Sequence, residues 1–209
     1  RVEGDGTDEH VLQARRESAR VLAIGDPLQE IAPVEAARPY AVPVLEAILA
    51  DRRRDLASDD PGLLVHIAPL VLVHEALGDD SAAAGHRAAA AALVVVVRAR
   101  FDADGVDDSG AWNEVCWWGA LAGAAEDALP ACDRAIELAS EEDLAGHRDS
   151  RGLARALVGD TEGALADFRA YVDARPPGHE MAGVRRAWIA IFEADQTPLD
   201  FPTLADIAM

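Results

Sequence analysis

The chain has 209 residues, of which 19 are basic and 38 acidic, so its formal charge is −19; half of its residues are apolar, at a mean hydropathy of +0.01. That supplies a buried core for one domain or two small ones, and it excludes an acidic disordered tail, which would be poor in apolar residues. It also argues against a nucleic-acid partner, because phosphates repel such a chain unless it carries a concentrated basic stripe, and none is present.

Strand signals are scarce, since aromatics make up 5% of residues and no alternating run is bracketed by hairpin turns. The pattern predicts an all-α chain. A first helix is expected over 8–24, stopped at Gly25-Asp26-Pro27. Pro27, Pro33 and Pro39 should then keep 26–39 irregular, because each proline removes a donor and restricts its predecessor. Residues 1–38 therefore read as an N-terminal helix with a proline-rich segment, and 39–209 as the main domain. Further helices are predicted at 40–57, 61–77, 81–101, 111–123, 126–139, 145–158, 161–174 and 179–195. Their breaks are Gly78-Asp79-Asp80-Ser81, an acidic loop over 102–110, Gly159-Asp160-Thr161 and Pro176-Pro177-Gly178. Residues 197–209 read as a tail.

The composition excludes some chemistry. There are 44 Ala, one Asn, three Gln and no Lys, so every basic residue is Arg. A high-GC genome accounts for this, and so would a high-salt proteome, in which acidic surfaces keep proteins soluble. Either way no lysine Schiff base, P-loop lysine or Ser–Lys pair is possible. Cys116 and Cys132 lie in helical apolar patterns, and two cysteines are no disulfide framework for a chain of this size, so buried reduced thiols are expected. The polar start, RVEGDGTDEH, does not resemble a signal peptide. The longest purely apolar stretch, Ala88 to Val97, falls short of the roughly 20 residues a membrane crossing needs. A soluble, cytoplasmic chain without a membrane partner is the expectation.

Internal repetition is the strongest signal. Ala128, Cys132 and Ala135 align with Ala164, Phe168 and Tyr171 at an offset of 36, and the same offset brings Cys116 onto Gly152, Gly123 onto Gly159 and Ser140 onto Pro176. Each unit is a helix pair joined at a glycine. A weaker copy lies upstream over 64–97, with Gly78, Ala83 and Ala90 in the matching slots. The two clear units, WNEVCWWGALAGAAEDALPACDRAIELAS and RDSRGLARALVGDTEGALADFRAYVDARP, resemble the tetratricopeptide repeat (TPR). Trp112, Gly123, Ala128, Ala135, Gly152, Gly159, Ala164, Phe168 and Pro176 fall on that family's consensus slots. Cys116, Gly119 and Arg155 depart from it, and Pro130 sits near the start of a second helix. The resemblance implies a right-handed superhelix of antiparallel helix pairs whose neighbours bury one continuous core, closed by a C-terminal capping helix.

The resemblance also implies a concave groove, with Glu75, Asn113, Trp117, Asp149 and Leu153 at groove slots. The family's clamp for acidic C-terminal peptides uses Lys and Asn there; this chain lacks it, which argues against a chaperone-tail receptor. Trp112 reads as core. Trp117 reads either as packing against the preceding unit or as a ligand-contacting aromatic. Arg148, Arg151 and Arg155 share a helix face, and internal ion pairs, for example with Asp133, are favoured over an anion-binding stripe.

No metal or cofactor is expected. The 102–108 loop misses the EF-hand register, with Val106, Asp107 and Asn113 where oxygen, Gly and Glu are needed. His66, His74 and His86 invite a zinc reading, but His66 and His74 are about 12 Å apart along a helix and cannot share one ion unless a third element folds back. His74-Glu75 opens like HExxH, but Gly78 holds the second histidine's slot. No catalytic motif is present. The leading expectation is a non-catalytic interaction module that binds a protein or peptide of basic character on its concave face, with self-association left open. The second is a regulatory or assembly domain of a larger bacterial signalling or peptidase protein, suggested by the start at Arg1. A metal-dependent enzyme is a distant third.

Overall fold

A computed structural model describes residues 31–194 together with Gln196 and Leu199, with side chains from Tyr40 onward. The expected 8–24 helix and most of the 197–209 tail lie outside the described residues. Among the described residues there are eight helices and no strand: α1 (Ile31–Asp55), α2 (Leu63–Ala76), α3 (Asp80–Asp104), α4 (Ser109–Leu121), α5 (Ala125–Leu138), α6 (Leu144–Leu157), α7 (Thr161–Asp173) and α8 (Glu180–Glu193). The described residues are all-α, and from α2 onward each helix lies within a few residues of its expected bounds.

The turns explain that agreement. Gly123 and Gly159, at the same slot of the two units, adopt φ of 76° and 83°, a left-handed conformation that costs glycine little and other residues more. Aspartates open three helices. The side chains of Asp79, Asp108 and Asp160 accept from backbone N–H groups in the first turns of α3, α4 and α7. The acidic loop is shorter than expected, because α3 runs to Asp104 and Asp108 already caps α4.

α1 is the main departure. It starts at Ile31 and runs through Pro33, Pro39 and Pro43, where an irregular segment to 39 was expected. Pro33 falls in the first turn, where an N–H has no ladder partner to lose. Pro39 and Pro43 remove interior donors, but Leu45 and Leu49 dock the following turns onto the core, and packing of that kind outweighs local propensity.

Each helix packs on the next along the chain; in addition α2 touches α4, α4 touches α6, and α3 touches α5. Small residues permit these crossings. Ala90, Ala128 and Ala164 are fully buried, and a Cβ at Gly119 would lie 3.0 Å from both the Ala128 methyl and Val94. Large side chains fill the spaces between, with Leu64, Ile67, Val97, Trp112, Leu153 and Phe168 in one core. Trp112 is structural, as its slot suggests: it meets the Phe101 ring edge-on at 5.1 Å and donates its indole N–H to the Val106 carbonyl at 2.9 Å.

Cys116 of α4 and Cys132 of α5 form a disulfide. The expectation of two reduced thiols is corrected. The two positions face each other across one helix pair, with Cα atoms 4.8 Å apart, inside the range a disulfide can span.

α3 is long and apolar enough to cross a membrane by length and composition, although its longest uninterrupted apolar run is short. About a quarter of that stretch is buried against its neighbours, and Val95 and Val96 are exposed on its outer side.

Candidate functional site

The five expected groove residues do not share one environment. Leu153 has no exposed surface and belongs to the main core. Asp149 is buried and accepts two hydrogen bonds from Arg185 of α8, from Nε at 2.6 Å and from Nη2 at 2.8 Å. Glu75 of α2 is half-buried and ion-paired with Arg87 of α3. Only Asn113 and Trp117, one turn apart on α4, retain partly exposed side chains without a charged partner. The Asn113 Oδ1 is buried and accepts no hydrogen bond, and Trp117 lays part of its ring on the main core. Trp118 is equally half-buried and also leans on that core.

Asp149 and Leu153 leave the open surface for a physical reason. Their slots repeat those of Asn113 and Trp117 at an offset of 36, but in the last unit α8 supplies Arg185 against α6. Arg185 is completely buried, with its guanidinium carbon 4.2 Å from the Trp188 ring centroid and 5.8 Å from that of Phe168. Arg185 was not singled out in the sequence. Its position 36 residues beyond Asp149 was the signal.

Two of the three stripe arginines, Arg151 and Arg155, are paired internally, as expected. Arg151 donates to both oxygens of buried Asp167, each at 2.8 Å, and to Asp133 at 2.9 Å, so one side chain ties α5, α6 and α7 together. Arg155 adds a third bond to Asp167 at 2.8 Å. The hydrogen bonds that Arg151 donates to Asp167 are the main reason its pKa lies above the ordinary value; arginine is charged in any case, and this one is neutralised from within. Arg148 has no acidic partner among the described residues. On the α3–α5 side, a cleft of about 260 Å³ opens between Arg98 and Asp102 of α3 and Pro130, Asp133 and Arg134 of α5. Arg98 donates to the Asp127 carbonyl there.

A second cluster gathers residues from three helices. Glu46 of α1, His74 of α2 and His86 of α3 bring ligand-capable atoms within 4.8 Å of one another. The two imidazoles stack with centroids 5.4 Å apart. His74 is buried and neither of its ring nitrogens has a hydrogen-bond partner. Its Nδ1 lies 3.6 Å from Oδ2 of Asp79. Burial, then repulsion from His74, lowers the His86 pKa, with Glu46 opposing and Arg53 adding to the shift. His66 is not part of the cluster, and the third member is Glu46 of α1, which was not singled out in the sequence.

No family model and no curated protein matches the chain.

Proposed function

We propose that this chain is a non-catalytic, tetratricopeptide-like repeat module that binds a protein or peptide partner on the face carrying Asn113 and Trp117 of α4. The observation that carries the reading is the register between α4–α5 and α6–α7. The two pairs share the same turn glycine, the same fully buried alanine (Ala128 and Ala164) and the same slot order. Contacts of α2 with α4 and of α4 with α6 are those a stacked helical array would make. In such arrays successive first helices line an extended concave surface, and here that surface narrows to α4, since α6 gives its groove slots to the core and to Arg185.

A partner of basic character suits the charge of −19. The half-buried Trp117 offers such a partner an aromatic anchor. The disulfide bears on location: bonds of this kind persist in oxidising compartments and are rare in the cytoplasm, so it weighs against the cytoplasmic placement. Binding of immobilised peptide arrays graded in net charge tests the reading. Selective retention of basic peptides, weakening with salt, is expected; retention that ignores peptide charge would contradict it.

A further inference from the structure

Beyond partner binding, we propose that Glu46, His74 and His86 form a binding site for a divalent transition-metal ion of the zinc type, which clamps α1 to α2 and α3. Two independent observations carry it. The first is convergence: three side chains of ligating chemistry, from three helices, place their donor atoms within 4.8 Å of one another. Tetrahedral zinc at ligand distances of about 2.0–2.2 Å asks for donors somewhat closer than this. Glu46 is exposed at the rim of the cluster and has the rotamer freedom to close the gap. The second is the state of His74. It is 94% buried (6% exposed), and both of its nitrogens lack a hydrogen-bond partner. Buried polar atoms in native proteins nearly always find one, and a metal ion at the cluster would supply it.

The surroundings fit the same ion. Asp79 already uses one carboxylate oxygen to cap α3, accepting from Ala82 at 3.1 Å, and its other oxygen faces His74. That is the position of an outer carboxylate that orients a metal-bound imidazole. With Glu46 the site holds two carboxylates, which offset the nearby Arg53. Two imidazoles and one carboxylate suit zinc, cobalt or nickel more than calcium or magnesium, which prefer oxygen ligands. Three protein donors leave a fourth position for solvent. The ion would hold α1 in place alongside Leu45 and Leu49, which pack it on the core.

The test uses the whole chain, stripped with a chelator, its disulfide intact. Zinc is titrated calorimetrically and cobalt by its visible absorption, for the parent and for His86→Ala, Glu46→Gln and Asp79→Asn, with His66→Ala as a control. Helicity of each variant is checked first. His86 and Glu46 are not fully buried, so their variants remain folded where a His74 variant would fail. The expected result is one zinc per chain, a tetrahedral cobalt spectrum, and a rise in melting temperature on zinc addition. All three should vanish in His86→Ala and Glu46→Gln, persist in His66→Ala, and Asp79→Asn should weaken zinc by about 10- to 100-fold. No stoichiometric zinc uptake by the parent, or undiminished uptake by His86→Ala and Glu46→Gln, would overturn the site.

Discussion

Asp149 and Arg185 occupy the same slot in successive first helices and close on each other in a two-pronged ion pair, at 2.6 and 2.8 Å, with the arginine wholly buried. Arg185 Nη1 has no partner of its own, so the pair depends on both carboxylate oxygens of Asp149. Removing the carboxylate leaves an uncompensated charge in the interior. Asp149→Ala should therefore cost about 3–5 kcal/mol in denaturant unfolding. Replacing both partners, Asp149→Leu with Arg185→Met, should recover much of the loss. A single substitution that leaves stability unchanged would place Arg185 in contact with water.

Two glycines with opposite surroundings make a paired prediction. A Cβ at Gly152 would lie 2.7 and 2.8 Å from ring carbons of Phe168, which is fully buried and cannot retreat. Gly152→Ala should destabilise by about 1–3 kcal/mol. A Cβ at Gly85, inside α3, meets nothing within 4 Å. Gly85→Ala should stabilise by about 0.5–1 kcal/mol through the unfolded chain and helix propensity. Thermal melts of the two variants should move in opposite directions.

The disulfide between Cys116 and Cys132 closes a short loop, with a sequence separation of 16. Loop closure of that length is worth about 3 kcal/mol in the chain-entropy treatment. Reduction under conditions that expose it, or Cys132→Ala, should lower stability by roughly that amount while α4 and α5 stay helical. Thiol titration of the unfolded, unreduced protein should find no free thiol; two would contradict the bond.

His147 sets a pH dependence. Burial lowers its pKa from 6.5, against the pull of Asp143 and Asp108, and its Nε2 is buried without a partner. The unfolded chain therefore binds a proton here at pH values where the folded chain does not. Stability from this group is present above about 6.5 and is lost as pH falls below it. Denaturant midpoints measured from pH 8 to 5 should decline on the acid side, and less steeply in His147→Gln. An identical slope in that variant would remove His147 from the account.

The helices from α2 onward were legible because their ends carry their own chemistry: glycines at 78, 123, 159 and 178 take positive φ, and Asp79, Asp108 and Asp160 cap. The Arg151–Asp133 pair was legible from one helix face and its neighbour. What escaped is what depends on three-dimensional registry. Apolar patterning places Cys116 and Cys132 inside helices without saying that they face each other. Slot order assigns Asp149 and Leu153 to a groove without knowing that Arg185 of α8 pairs with Asp149 and that Leu153 turns into the main core. Glu46, His74 and His86 share no periodicity, since each comes from a different helix. α1 hid behind its prolines, because docking of its later turns by Leu45 and Leu49 cannot be read from local propensity.

α4 carries the proposed working surface, and one measurement reaches it directly. A basic peptide selected from the array is titrated into the parent, Trp117→Ala and Trp118→Ala, at low and high salt, after each variant is shown to fold. A buried aromatic anchor contributes about 2 kcal/mol or more. Trp117→Ala should weaken binding by about 30-fold or more, Trp118→Ala by much less, and salt should reduce affinity in all three. Equal affinities for the parent and Trp117→Ala would contradict the account and move the partner surface away from α4.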